Sequence, residues 1–356
     1  MTSPPPGPGV LLAPLTGVPE VRAGADLAAL LLQALEPWGG LQDGDVLAVS
    51  SKVVSKALGL REAPPPDPEG ARRHREEAVA RGTVRVVAER RTPRGTTRVV
   101  EALAGPVMAA AGVDASNTGP EGGVLLLPQD PDAAAAALHA RLVELRPGAR
   151  VGVLLTDTAG RPWRAGQVDL ALGAYGLHVA DDLRGGTDVD GRPLAVTERA
   201  LADEIAAASD LVKGKLGEVA AALVRGLPEA VAPDGTTPGA RSLVRTGPSD
   251  WFALGHREAV RAALGAPPGS AVADEVGIAS VAPEPVEDRG ARAVRLALLG
   301  LPDARVSGSA GHGYAVHSPD PVTAGRVAAR LEVALAGEDV PAQVRVEVGA
   351  GDPGLR

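Results

Sequence analysis

Aromatic side chains are almost absent from this sequence, and their scarcity constrains the fold more than any motif does. Three Trp, two Tyr and one Phe serve a chain of 356 residues, so a core drawn from its 45% hydrophobic residues must be built of Ala, Val and Leu. The length exceeds one typical domain and predicts two. So few aromatics leave no stacking platform for single-stranded nucleic acid. A net charge of −8 also argues against a general affinity for nucleic acid or anionic membrane. The 45 Gly and 32 Pro make the chain rich in loops, but residues 1–9 alone have the composition of a disordered segment.

Cysteine is absent, which removes disulfides, thiolate metal sites and Cys nucleophiles together. The N-terminal residues carry no basic region followed by an apolar core. No apolar run approaches the ~18 residues of a membrane span, so a cytoplasmic protein without membrane partners is expected.

Hydrophobic periodicity and breakers outline the elements. Residues 26–35 read as a helix capped by Asp26 and stopped by Pro37. Residues 45–50 read as a strand leading into a turn that carries Ser51, Lys52, Ser55 and Lys56. Residues 61–96 read as charged connecting structure with a helix near 69–81. Strands are expected at 97–102 and 123–127, an Ala-rich helix at 131–145, and a buried strand at 151–156 that ends in Asp157 and Thr158. In the helix expected at 198–212, Leu201, Ile205, Ala208 and Val212 share one face, and Lys213-Gly214-Lys215 closes it. Residues 232–240 form the clearest linker. Beyond it, strands are expected at 293–298 and 344–348 and a helix at 323–336, with no site motif. The Gly-rich residues 308–314 read as a turn, and His74 and His139 as surface residues.

Rare residues carry the chemistry. Only four of the 36 Lys and Arg residues are Lys, in two clusters, Lys52 with Lys56 and Lys213 with Lys215, and Asn117 is the single Asn. Lys is a compact charge suited to phosphate oxygens, whereas Arg brings a planar fork. No P-loop is present: the one Gly-Lys pair, Gly214 and Lys215, has Ser209 where the first Gly should stand and Leu216 after it. The six His show no zinc spacing, and no GxSxG elbow occurs. What remains is a set of hard oxygen ligands, Asp114, Asp157 and Thr158, of the type that Mg²⁺ or Mn²⁺ takes together with phosphate oxygens. Asp114 and Asp157 are equally the kind of residue that caps a turn.

Four ordered blocks, at 44–56, 109–117, 156–169 and 202–215, together with Thr16-Gly17-Val18-Pro19-Glu20-Val21, resemble the coenzyme F420-0:L-glutamate ligase family over about residues 10–255. The resemblance implies an α+β fold of the F420 gamma-glutamyl ligase type in an intertwined homodimer. Residues 10–250 would form the ligase domain, and 256–356 a small C-terminal α/β domain of unknown role. It implies GTP-dependent addition of L-glutamate to coenzyme F420-0, with further γ-linked additions, through an acyl phosphate. Carried onto this chain, the metal ligands would be Asp114, Asp157 and Thr158, with Lys56 joining the two carboxylates in catalysis. GTP would meet Val18, Pro19, Glu20, Val21, Ser51, Lys56, Asn117, Lys213, Gly214, Lys215 and Leu216. Arg161, Arg164 and Gln167, in a donor-rich loop, are candidates for the coenzyme or the glutamate.

The chain departs from the family pattern in two places. Lys215 stands where some archaeal members carry an amide that helps hold a second metal, so one ion is expected. Mycobacterial relatives continue into a flavin-binding domain, but residues 256–356 are too few for it, and no FMN is expected. A nucleotide-binding regulatory module without ligase activity, or a fused oxidoreductase acting on the same coenzyme, stand as alternatives.

Overall fold

The protein is described by a computed structural model over residues 9–93, 95–119, 122–215, 217–232 and 237–348. The chain divides into two compact units, Met1–Thr83 with Ala102–Arg245, and Val84–Glu101 with Thr246–Arg356. The segment read as disordered, residues 1–9, lies outside the described residues apart from Gly9.

The first unit is built on a five-stranded sheet in the spatial order Leu11–Pro14, Ala221–Arg225, Val46–Ser50, Gly152–Arg161, Arg164–Tyr175. Val46–Ser50 and Gly152–Arg161 run parallel, and every other neighbouring pair is antiparallel. Alternation sends Leu47, Val153, Leu155 and Leu223 to one face, against Leu31 and Leu35 of the helix Leu27–Leu35 and Leu142 of the helix Pro131–Leu145. Val46, Leu154 and Val224 face the other side with Ile205 and Ala206 of the helix Leu201–Lys213. The central strands are therefore apolar at four successive positions, 46–49 and 221–224, the pattern of a sheet covered on both faces. This is the mixed α and β architecture the sequence led us to expect.

Small residues replace the missing rings. Ala13, Ala135, Ala206 and Ala221 are fully buried, and Gly173 lets a helix start press on the sheet: a Cβ there would lie 2.3 Å from the Pro131 carbonyl. Asp26 and Asp130 cap their helices by accepting from the Ala29 and Ala133 N–H groups at 3.2 and 2.9 Å.

In the second unit the hairpin residues 84–101 fold with four helices, His256–Ala263, Ala271–Val276, Val286–Leu298 and Pro321–Gly337. A sheet of Arg305–Ser309, Gly313–Ser318 and Val344–Val348 completes it, antiparallel and then parallel. Leu296, Val316, Val327 and Leu331 center its core.

Several local expectations are corrected. Residues 51–57 form a helix, not a turn. Residues 293–298 lie in the helix Val286–Leu298, because Ala293, Leu296 and Ala297 bury at helical spacing. Thr83–Thr92 is a strand rather than connecting structure. His139 is half-buried, its ring centroid 4.8 Å from that of Tyr175, and His74 packs 3.1 Å from Glu62. Of the linker at 232–240, residues 233–236 lie outside the described residues, while Ala240 is buried with its N–H on Asp132 at 2.8 Å. No helix among the described residues is long and apolar enough to cross a membrane.

Candidate active site

A cavity of about 730 Å³ opens in the first unit at the end of the strand Val46–Ser50, beside Thr156, Asp157 and Thr158 of the strand Gly152–Arg161. All four lysines of the chain and its one asparagine line this cavity.

The helix Ser51–Ala57 sets Lys52 and Lys56 one turn apart. Lys52 Nζ meets Asp114 at 2.7 Å and donates to Ser116 Oγ at 2.8 Å, and Lys56 Nζ meets Glu20 at 2.8 Å. Burial works against the Asp114 carboxylate, but Lys52 and the Ser116 N–H outweigh it and hold Asp114 below the usual range. Asn117 adopts a left-handed backbone, φ 54°, which Asn tolerates better than most residues.

The opposite wall is the hairpin Gly152–Arg161 with Arg164–Tyr175. Its register sets Asp169 across from Thr158, and Thr156 and Thr158 donate to the two Asp169 oxygens at 2.8 and 2.7 Å. Lys213 ends its helix at the same carboxylate, with Nζ 2.6 Å from Asp169 and 2.5 Å from Thr156 Oγ1. Burial again opposes the charge on Asp169, and Lys213 overcomes it. Gly214, at φ 59°, turns the chain so that Lys215 reaches Thr158 Oγ1 at 2.6 Å.

Asp157 is the exception. No side-chain partner among the described residues holds it, and burial, reinforced by the charges of Asp114 and Asp169, pushes it up to about 6 despite Lys52. A half-shielded carboxylate on a cavity wall, lacking a cation of its own, suits a divalent ion. Asp114 and the Thr158 hydroxyl are the neighboring hard oxygens, and each is faced by an ammonium, from Lys52 and Lys215. No cluster of three or more His, Asp or Glu that could hold a metal occurs among the described residues. Asp114, Asp157 and Thr158 thus offer part of a coordination shell, and ligand oxygens would supply the rest.

Of the other expected residues, Val18, Pro19, Glu20, Val21, Lys56, Asn117, Lys213, Gly214 and Lys215 line the cavity. Ser51 is buried and outside the lining set, where Ser50 stands instead. Leu216 lies outside the described residues. Arg161, Arg164 and Gln167 stand toward the far end of the hairpin, outside the lining set. Lys52, singled out from the sequence only as one of the clustered lysines, also lines the cavity, as do Asp169, Arg22 and Asp210, which had no role assigned. A regular hairpin turning at 162–163 would set 158 opposite 167; the register shift between Gly160 and Arg161 is what brings Asp169 across from Thr158, and no local sequence signal marks it.

Lysines and carboxylates gathered in one cavity of a mixed α/β unit define a site for a charged small molecule, of the kind found in group-transfer enzymes. Residues 17–226 match the model of a family described as F420-0:Gamma-glutamyl ligase, a span that contains every residue lining the cavity. The Coenzyme F420:L-glutamate ligase of Methanopyrus kandleri is 39% identical over 254 residues, covering 69% of this chain and 98% of the relative. Those of Halobacterium salinarum and Natronomonas pharaonis are 42% and 40% identical over 214 and 217 residues, in each case 56% of this chain and 79% of the relative. The chain belongs to the F420-0:gamma-glutamyl ligase family of ligases. Residues 246–356 lie beyond the matched span.

Proposed function

We propose that this cavity joins L-glutamate to the carboxylate of coenzyme F420-0 with GTP as the phosphoryl donor, in the cytoplasm, and that successive γ-linked additions follow. The observation that carries the reading is the convergence of all four lysines, Asn117 and the unpaired Asp157 on one cavity. A carboxylate and an amine do not condense unaided in water, so the acyl group needs activation. An oxygen of the coenzyme carboxylate attacks the γ-phosphorus, the bond to GDP breaks, and an acyl phosphate results. The glutamate amine then attacks its carbonyl carbon, phosphate departs, and the amine gives up a proton.

Little of this is covalent chemistry for the protein, which positions groups and offsets charge. Lys52, Lys56, Lys213 and Lys215 can exchange carboxylate or hydroxyl partners for phosphate oxygens, and Asn117 orients the nucleotide by hydrogen bonds. Asp114, Asp157 and Thr158 would hold Mg²⁺ or Mn²⁺, which when bound neutralizes phosphate charge. Arg161, Arg164 and Gln167 hold the coenzyme phosphodiester or the incoming glutamate. The working unit is a homodimer, as the family resemblance implies, and sedimentation at monomer mass would remove that element.

The test is incubation with GTP, Mn²⁺, glutamate and coenzyme F420-0, following product mass. One added glutamyl residue per GDP is expected. GTP binding without product would favor a regulatory module, and oxidation or reduction of the coenzyme an oxidoreductase.

A further inference from the structure

We propose that Asp169 is a positioning residue that turns the Thr158 hydroxyl oxygen toward the cation site of the cavity. The inference rests on the ligase reading with its divalent ion, and adds a residue that acts through Thr158.

The register of the hairpin makes the arrangement. Thr156 and Thr158 lie two residues apart and so share a face of the strand Gly152–Arg161, and the register shift between Gly160 and Arg161 sets Asp169 across from Thr158. Paired with the Lys213 ammonium at 2.6 Å, Asp169 is a carboxylate, which accepts hydrogen bonds and donates none. Its Oδ2 takes Lys213 and, at 2.8 Å, the Thr156 hydroxyl. Lys213 donates to Thr156 Oγ1 as well, so three buried groups close on one another. Its Oδ1 takes the Thr158 hydroxyl at 2.7 Å. Both oxygens are thus engaged within the wall, which leaves Asp169 to act on its neighbors rather than on a ligand.

The neighbor that matters is Thr158. A threonine hydroxyl has one proton and two lone pairs. The proton goes to Asp169, and one lone pair receives the Lys215 ammonium at 2.6 Å. The oxygen therefore already faces one cation, and its second lone pair takes no donor among the described residues. A hydroxyl free to rotate would offer proton or oxygen alike. A proton aimed at a divalent ion repels it, whereas an oxygen lone pair is the ligand such an ion takes. An amide at 169 could meet Thr158 with either end, but a carboxylate permits one orientation only.

The test measures Mn²⁺ affinity by calorimetry on the full chain, without nucleotide or coenzyme, in two double variants of equal charge. Asp169→Leu with Lys213→Met removes the acceptor. Asp169→Asn with Lys213→Met keeps one, since the amide oxygen can turn to Thr158 and the amide nitrogen to Thr156. Each replaces a buried ion pair by neutral groups, a change that folds commonly tolerate. The leucine variant should lose about tenfold or more in Mn²⁺ affinity, and the asparagine variant should stay within about threefold of the parent. With Thr158→Val added, the two should bind Mn²⁺ alike. Equal affinities while the Thr158 hydroxyl is present, or a difference that persists without it, would overturn the positioning role. Parent-like affinity in Thr158→Val alone, which leaves Asp169 and Lys213 in place, would overturn it too. If only the leucine variant fails to fold, Asp169→Asn alone takes its place: Lys213 draws the amide oxygen, the nitrogen meets Thr158, and the same loss is expected. Failure of both double variants to fold would show that the network serves the hairpin, and would overturn the proposal. Ligation is assayed on the parent alongside. Product without Mn²⁺ binding would overturn the proposal and leave the ligase reading, whereas the expected Mn²⁺ pattern without product would overturn the ligase reading alone.

Discussion

In the first unit, buried positive charge is lysine on a cavity wall: Lys213 against Asp169, and Lys56 against Glu20. In the second unit it is arginine closed upon carboxylates. Arg292 donates to Glu338 at 2.9 and 2.6 Å and to Glu284 at 3.0 and 2.8 Å, and all three side chains are less than 10% exposed. Nearby, the buried Arg261 donates to the Ala273 carbonyl, and the Glu89 N–H donates to Glu258. The difference is chemical. A planar fork with both edges engaged is committed to its partners, whereas an ammonium on a flexible stem can trade a carboxylate for another anion. With 32 arginines available, the four lysines stand where exchange is useful.

The sharpest way to break this contrast is to remove Asp157, a shielded site carboxylate that lacks a cation of its own. Asp157→Ala should cost on the order of 10³-fold in kcat/KM. Its unfolding midpoint in EDTA should be unchanged or higher, because a half-shielded, charge-crowded carboxylate is gone. Added Mn²⁺ should raise the midpoint of the parent and leave the variant where it was. Wild-type turnover, or a retained Mn²⁺ response, would show that Asp157 holds no ion and is an ordinary strand residue.

Next in size is the committed pair. Arg292→Ala leaves Glu284 and Glu338 buried without their fork and should destabilize the protein by about 3–5 kcal/mol in urea unfolding. Arg292→Lys should restore little, since one ammonium cannot span two carboxylates. Ligation measured where the variant is folded should stay within about threefold of the parent. A loss below about 1 kcal/mol, or rescue by Lys, would erase the distinction between the units.

The same chemistry explains what could be read in advance. Two strands of the first sheet, read at 45–50 and 151–156, were legible because they are covered on both faces and begin as short apolar runs, while its other three strands were not read. The cavity was legible in part because composition made Lys and Asn conspicuous. Asp169 was not, because its role depends on which residue lies across the hairpin, and register is a long-range fact. The strand Thr83–Thr92 was hidden for a related reason: its inward positions include Glu89, fully buried with Arg98 3.2 Å away, where a sequence reader looks for an apolar residue. The short helix after Ser50 was misread because Ser and Lys in a tight cluster resemble turn chemistry.

The smallest effect concerns a group that avoids charge altogether. His139 sits on the helix Pro131–Leu145, tilted 58° against Tyr175, and a Cβ on Gly176 would come 3.2 Å from its Nε2. Burial pushes the imidazole below its ordinary 6.5, against the opposing hydrogen bond with the Val151 backbone. The unfolded chain therefore takes up a proton near pH 6.5 while the folded chain resists it. The neutral ring's contribution is complete above that pH and is lost as pH falls through 6.5 toward the lowered folded value. His139→Gln should flatten the decline of stability between pH 7 and 5. Because His139 is not among the residues lining the cavity, the flattening should be the same with and without Mn²⁺ and GTP. A pH slope unchanged by the substitution would show that the ring is protonated as easily folded as unfolded. A slope that responds to nucleotide would tie this helix to the lysine cavity and blur the line between exchangeable and committed charge.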